Sequence, residues 1–207
     1  MLRKGYVPFQ SSQPRTPYTF LYPVGWDVRE IVEDGYVEIF ILGPVSRAGT
    51  YSTSLSVRMT RAASQTPLEA ANVLVSKYHA AFKAQERGPF SVTVAGRPAV
   101  EVEIVYSMLL PLNSLNAKQT PIRERRIFFE ENNQLYELDY TAPEEDYETW
   151  LEAFRTLVES FAFSEEAVVM APYRSVERAV PQPVREESPG YEAKENQSDE
   201  QSEHHQV

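Results

Sequence analysis

The chain of 207 residues contains no cysteine and only three histidines. The absence of cysteine excludes a disulfide framework, a thiol nucleophile, a lipid-modified cysteine and any zinc or iron–sulfur site with cysteine ligands. His79 is the only histidine before residue 204, so a Ser–His–Asp triad would have to use it. No Gly-x-Ser-x-Gly motif and no glycine-rich phosphate-binding motif is present. The sequence therefore predicts neither a catalytic residue nor a cofactor.

Long apolar segments are missing too. The run over residues 100–112 is interrupted by Glu101, Glu103, Ser107 and Pro111, well short of the roughly 18 residues that a membrane-spanning helix needs. We therefore expect no membrane insertion. The basic start at residues 1–4 is not followed by an apolar segment, which predicts a cytoplasmic location. The alternative is export, if a leader has been removed from the chain.

Positive charge is in deficit, with 20 Lys and Arg against 30 Asp and Glu, a net charge of -10. Nucleic acids and anionic membranes both need clustered positive charge, so neither is expected as the partner. The densest basic cluster is Arg123, Arg125 and Arg126, followed by Phe128 and Phe129. Glu124 lies inside that cluster and other carboxylates are expected opposite it, which favours ion pairs on a sheet over a nucleic-acid surface.

Composition divides the chain into three parts. Residues 164–207 carry ten acidic against four basic residues and are rich in Pro, Ser and Gln, which predicts a disordered acidic tail. Residues 18–163 show clear hydrophobic periodicity and are predicted to form one α+β domain. Residues 1–17 are predicted to form a short N-terminal arm.

The periodic segments predict mostly antiparallel strands with two helices. Alternating apolar residues predict strands over residues 53–60, 90–94 and 100–108, and a hairpin over residues 125–130 and 135–140 that turns at Asn132 and Asn133. With that turn, Ile127 faces Leu138 and Arg126 faces Asp139. One helix is predicted from a capping box at Thr66 as far as Gly88 and Pro89, and a second begins near residues 141–144. The buried stripe of the second helix is predicted to be Tyr147, Trp150, Leu151, Phe154, Leu157, Val158 and Phe161.

Two landmark segments carry a resemblance to a known family. Residues 18–26, Tyr-Thr-Phe-Leu-Tyr-Pro-Val-Gly-Trp, resemble the opening of PsbP-like proteins, the family of the extrinsic photosystem II subunit. Residues 126–130, 134–143 and 154–161 are similar to the final hairpin and helix of bacterial PsbP-like and DcrB-like proteins. The resemblance implies an α/β/α sandwich around a mostly antiparallel sheet of about six to seven strands. It also implies a binding or assembly factor, since members of the family are seldom enzymes.

The connector over residues 107–116 is the main candidate for function. Because Pro111 should end the preceding strand, these residues are predicted to form a loop with several large apolar side chains: Leu109, Leu110, Leu112 and Leu115. Either the loop folds back over the sheet, or it presents an apolar patch to another protein or to a second subunit. Trp26, which follows the Val24–Gly25 turn, either stacks on a ligand or seals one end of the sheet.

Acidic residues offer an alternative of a different class. Glu30, Glu33 and Asp34, or Glu101 and Glu103, could hold a metal ion or act as acid and base. The simpler interpretation assigns Glu33, Asp34 and Gly35 to a turn and the other pair to the solvent-facing side of a strand. We therefore predict a non-enzymatic protein-binding or assembly factor, with Leu109, Leu110, Leu112, Leu115 and Trp26 as candidate partner-binding residues. The alternative is a metal-dependent hydrolase or metal-binding protein that uses acidic loops.

Overall fold

The structure, a computed structural model, describes residues 5–12, 17–61 and 65–163. The predicted acidic tail lies outside these residues. The elements follow one another along the chain in the order β1 (Tyr6–Gln10), β2 (Tyr18–Pro23), β3 (Asp27–Glu33), β4 (Tyr36–Val45), β5 (Ser52–Arg61), α1 (Pro67–Phe82), β6 (Gln85–Val94), β7 (Arg97–Leu110), β8 (Lys118–Glu131), β9 (Gln134–Pro143), α2 (Tyr147–Ser160) and β10 (Ala162–Phe163).

Seven of these strands form one antiparallel sheet in the order β3-β4-β5-β9-β8-β7-β6. Its centre is the β8–β9 hairpin, in which Asn132 and Asn133 both adopt positive φ and form a two-residue turn. The predicted register is confirmed, since Ile127 lies opposite Leu138 and Arg126 opposite Asp139. The hairpin therefore has the face assignments that the hydrophobic alternation predicted.

Each helix covers a different face of this sheet. α2 lies over the core that contains Ile127, Phe129, Tyr136, Leu138 and Tyr140. α1 lies over a second, smaller core, whose buried members are Ala70, Ala71, Ala84, Val102, Ile104, Tyr106, Leu110, Ile122 and Phe128. The architecture is thus an α+β fold with helices on both faces of an antiparallel sheet, as predicted.

Both helices differ from the predicted bounds. α1 begins with the predicted capping box at Thr66 but ends at Phe82, where Lys83 adopts a left-handed conformation. Gly88 and Pro89 interrupt β6 instead of ending the helix. α2 begins at Tyr147 because β9 continues to Pro143, which pairs with Ile122 of β8.

A three-stranded sheet, in the order β1-β2-β10, was not predicted. Phe9 of β1 stacks on Phe20 of β2 at 4.9 Å between ring centroids, and β10 joins β2 through two residues at the end of the domain. Residues 6–10, assigned to an arm from the sequence, therefore belong to the folded structure.

None of the helices in the described part of the chain is long and apolar enough to cross a bilayer. The compartment stays a prediction.

The alternation along β7 predicts that truncating two neighbouring leucines has very different effects on stability. Leu110 is 4% exposed and lies in the core beneath α1, whereas Leu109 is 53% exposed. Truncating Leu110 to Ala should lower the free energy of unfolding by about 2–5 kcal/mol, because it removes buried apolar surface and leaves a cavity. Leu109→Ala should change it by no more than about 0.5 kcal/mol. Urea denaturation of the two variants checks this, and equal effects would show that residues 107–110 do not hold a fixed strand.

Candidate functional site

The β7–β8 hairpin extends beyond its neighbouring strands. β6 pairs with β7 only as far as Val105, and β9 pairs with β8 only from Ile122 onward. Residues 107–110 and 118–121 pair with each other and form a two-stranded ribbon, about 13 Å long at roughly 3.3 Å per residue. At its base, the N–H of Glu144 also donates a hydrogen bond to the carbonyl oxygen of Pro121 at 3.0 Å. Residues 111–117 connect its strands. We call residues 107–121 the ribbon.

The ribbon corrects the predicted loop over residues 107–116. Its first four residues are strand, because each pairs with a residue of 118–121, a segment whose sequence shows no alternation. Pro111 ends the strand, as predicted, but only after Leu110. Leu110 points into the core beneath α1 and is thereby removed from the candidate partner surface.

The other three leucines lie on the outside of the ribbon. Leu109 is 53% exposed, Leu112 66% and Leu115 fully exposed, with 105% of its reference area. Ser107, Gln119 and Pro121 share the outer face with Leu109 and are also exposed. The result is a projecting apolar tip with Lys118 as its one charged side chain.

Trp26 lies elsewhere. It precedes β3, which is five strand positions from β7, a separation of about 24 Å at roughly 4.8 Å per strand. Its six-membered ring lies directly on Gly43, where an added Cβ would come within 2.7 Å of the ring. Trp150 of α2 contacts it edge to face at 5.7 Å. The structure therefore favours the sealing role for Trp26 and does not bring it together with the leucines.

A largely buried ionic cluster lies between the sheet and α1. The guanidinium of Arg126 contacts the carboxylates of Glu124 and Glu137, and its Nε lies 3.5 Å from Asp139 Oδ1. Tyr78 of α1 donates a hydrogen bond to Glu124 at 2.9 Å and accepts one from Arg126 at 3.2 Å. One cation thus holds three carboxylates on one face of the sheet.

Burial of this cluster changes the pKa values of its members. Burial raises the pKa of Asp139 to about 8; Arg126 opposes this rise, while Glu124 and Glu137 add to it. Burial lowers the pKa of the Arg126 guanidinium, but Asp139, Glu124 and Glu137 raise it by more. Asp139 therefore carries a proton through much of the range from pH 4 to 8, which spares the interior a negative charge.

The opposite face carries a cluster of inverse composition. Glu103 accepts contacts from Arg123 at 2.9 Å, Arg125 at 3.3 Å and Arg87 at 3.5 Å. Its side chain is 5% exposed, so the prediction that Glu101 and Glu103 lie on a solvent-facing side is wrong for Glu103. It is wrong because β8 places arginines directly alongside, and burial next to several guanidinium groups leaves no unpaired charge.

This second cluster also contacts α2, through Arg123. Arg123 lies over the ring of Tyr147 at 4.3 Å and approaches Glu148 at 3.3 Å. Every arginine of the basic cluster singled out in the sequence is therefore paired with carboxylates. The expectation of ion pairs is confirmed for these residues.

Two solved structures share this arrangement of strands and helices. Cyanobacterial PsbP (CyanoP) from Synechocystis sp. PCC 6803 superposes with a TM-score of 0.52 at 16% identity, over 79% of this chain and 95% of that one. The chain has the PsbP-like fold. LpqN from Mycobacterium tuberculosis, described as involved in cell envelope biogenesis, superposes with a TM-score of 0.50 at 14% identity, over 77% of this chain and 91% of that one. The sequence matches no protein-family model and no curated protein, so the likeness is one of fold.

One depression on this PsbP-like domain lies beside α2. It has a volume of about 130 Å³ and is lined by side chains of β7, β8 and α2, among them Glu101, Arg125, Phe154 and Arg155. Small-molecule sites usually enclose about 300–1,000 Å³. This depression is therefore too small for a ligand of ordinary size.

Metal-binding chemistry finds little support among the described residues. Within them, no group of three or more His, Asp or Glu side chains is placed to hold a metal ion. Asp34 lies in the tight turn between β3 and β4, as predicted, and Glu30 accepts a hydrogen bond from Ser12 at 2.6 Å. His79 is largely exposed, and its Nδ1 lies 3.1 Å from the carbonyl oxygen of Ala84.

Sequence reasoning found Arg126 and Asp139 but missed Glu124 and Glu137 as members of the buried cluster. Charged residues at alternating positions normally indicate a wet face. The available signal was that Glu137 and Asp139 alternate with apolar residues on both sides, which places them on the face that also receives Arg126.

The Asp139 carboxyl predicts a specific pH dependence of stability. Because its pKa is raised in the folded chain, its stabilising contribution is complete below pH 4 and is lost as the pH rises to about 8. Each pH unit in that interval costs about 1.4 kcal/mol of folding free energy. Asp139→Asn, which stays neutral, should remove this part of the slope, so urea denaturation between pH 5 and 8.5 should give a flatter profile than the wild-type chain.

Asp34→Asn is the matched control, since Asp34 is exposed in a turn. It should leave the wild-type slope unchanged. An Asp139→Asn profile that runs parallel to the wild type over the whole range would contradict the proposed protonation of Asp139.

Proposed function

We propose that this chain is a non-enzymatic protein-binding or assembly module and that the tip of the ribbon is its contact surface. The observation that carries the proposal is the exposure of Leu109, Leu112 and Leu115 on a ribbon that extends past the neighbouring strands. Burying one leucine side chain is worth about 1.5–3 kcal/mol, so three of them supply a substantial gross gain for a small contact.

The surroundings of the tip favour protein over membrane or nucleic acid. The ribbon has one charged residue, Lys118, and the chain as a whole carries a net charge of -10. Anionic lipids and nucleic acids are bound through several cationic side chains at once. The arginines nearest in sequence, Arg123, Arg125 and Arg126, are engaged with carboxylates. An apolar surface on another protein fits the tip better.

The fold is consistent with a role of this kind. Proteins of PsbP-like fold are not known as enzymes, and the depression beside α2 is small. The Asp and Glu residues considered for a metal-dependent hydrolase are in part engaged with arginine side chains. No observation supports that alternative.

Replacing Leu109, Leu112 and Leu115 together by Ser should abolish binding of the partner without unfolding the domain. All three side chains are exposed, so the thermal midpoint should stay close to that of the wild type. The measurement is a quantitative pull-down from the cells in which the chain naturally occurs, with the captured proteins identified by mass spectrometry in parallel for wild type and variant.

The matched control is the triple variant Val24→Ser, Val45→Ser and Leu68→Ser. These residues are similarly exposed, at 61%, 60% and 47%, but lie outside the ribbon. A partner captured by the wild type and the control and lost from the ribbon variant supports the proposal. A partner captured equally by all three places the contact surface elsewhere.

A further inference from the structure

The two edge strands of the seven-stranded sheet differ in the regularity of their pairing. At one edge, β6 is interrupted by Gly88 and Pro89, and its register with β7 shifts between Arg87 and Phe90. Bulges and prolines of this kind protect an edge from pairing with another chain. At the other edge, β3 pairs with β4 through all seven of its residues without a break.

The outer side of β3 has no partner within residues 5–12, 17–61 and 65–163. Six of its seven residues are exposed, and only Val28 is partly buried. Two of the exposed residues are apolar, Ile31 at 38% and Val32 at 63%. The edge is thus regular, accessible and partly hydrophobic.

The hairpin turn determines which backbone groups point outward. Asp34 and Gly35 form a two-residue turn, so its closing pair, Glu33 and Tyr36, exchanges hydrogen bonds. By alternation, Ile31, Arg29 and Asp27 also bond to β4. The N–H and C=O groups of Val28, Glu30 and Val32 therefore point toward the open edge.

We propose that β3 pairs antiparallel with β3 of a second copy of the chain, about a two-fold axis at Ile31. This register places the outward-pointing Glu30 and Val32 opposite each other in hydrogen-bonded pairs. It places Arg29 of each copy opposite Glu33 of the other copy, and Ile31 of one copy opposite Ile31 of the other. These last pairs are of the non-hydrogen-bonded kind, in which opposing side chains come closest.

The charges select this register over its neighbours. Residues opposite each other in an antiparallel ladder share the same hydrogen-bonding class, so the axis passes through a residue and not between two. An axis at Arg29 or at Glu30 would set like charges face to face. An axis at Val28 would pair only three residues of each strand. The axis at Ile31 pairs residues 29–33 and sets no like charges directly opposite each other.

Charged side chains on an edge usually prevent pairing, and β3 carries four of them. Here, however, Arg29 and Glu33 have complementary signs when the strand meets its own copy. Arg29 already lies 3.1 Å from Asp27 on the same face, which shows that its side chain is extended along the exposed strand. Glu33 lies on that same face of β3.

Such pairing joins two sheets into one of fourteen strands with a small interface, so the association should be weak and dependent on concentration. It leaves the ribbon accessible, because β8 and β7 are four and five strand positions away from β3. The inference does not rest on the proposed function, and either can fail without the other.

Charge reversal with complementation tests the pairing. Arg29→Glu alone places Glu opposite Glu, and Glu33→Arg alone places Arg opposite Arg, so each variant should associate at least roughly tenfold more weakly than the wild type. An equimolar mixture of the two variants forms two Glu–Arg pairs and should recover the wild-type association. Sedimentation equilibrium measures this against the mass of the chain, 23.6 kDa.

Two outcomes would overturn the proposal. One is a wild-type chain that stays monomeric at all concentrations up to about 1 mM, which would exclude a dissociation constant below about 1 mM. The other is association that survives in both single variants but is lost in the Leu109, Leu112 and Leu115 serine variant, since the copies would then meet through the ribbon.

A further variant keeps the test decisive if a charge reversal impairs folding. Val32→Pro removes an outward-pointing N–H and spares the hydrogen bonds to β4. It should abolish association while circular dichroism stays unchanged. Wild-type association by a folded Val32→Pro variant would also overturn the proposal.

Discussion

The position of β8 between β7 and β9 is the constraint on which the rest of the structure depends. The turn at Asn132 and Asn133 sets the register with β9, and that register sends Ile127 to the α2 face and Arg126 to the α1 face. A slip of one residue would exchange the two faces and bury Arg126 among the aromatic rings beneath α2. Because such a slip would be so costly, the hairpin fixes both cores at once.

The same strand explains how charge is handled inside the domain. Residues 123–126 alternate between the faces, so Arg123 and Arg125 meet Glu103 on one side. On the other side Arg126 meets Glu124, Glu137 and Asp139. One face has three arginines around one glutamate, and the other has three carboxylates around one arginine. Buried charges of this kind are tolerated only when they are paired. As a consequence, the densest basic segment of the chain is engaged inside the fold.

Local pattern was enough to predict most of the central architecture. The alternation along β7, β8 and β9 and the stripe on α2 depend on which residues face the core, and both are confirmed. The capping box at Thr66 is also confirmed, because its hydrogen bonds involve residues only three apart.

What the sequence did not reveal depends on contacts between distant segments. β1 and β10 are too short to show a period, and each is defined by its pairing with β2. The strand character of residues 107–110 depends on pairing with 118–121, where Lys-Gln-Thr-Pro gives no strand signal. Glu103 is buried because arginines of a neighbouring strand surround it, a fact that no single segment contains.

The central claim is that a paired ribbon, and not an unpaired loop, presents the leucines of this domain. Because the chain lacks cysteine, single cysteines at positions 109, 110, 112 and 115 can be compared by their rates of reaction with a thiol reagent under native conditions. The account predicts fast labelling at 109, 112 and 115, and slow labelling at 110, which requires local opening of the core beneath α1. Equal rates at all four positions would contradict it.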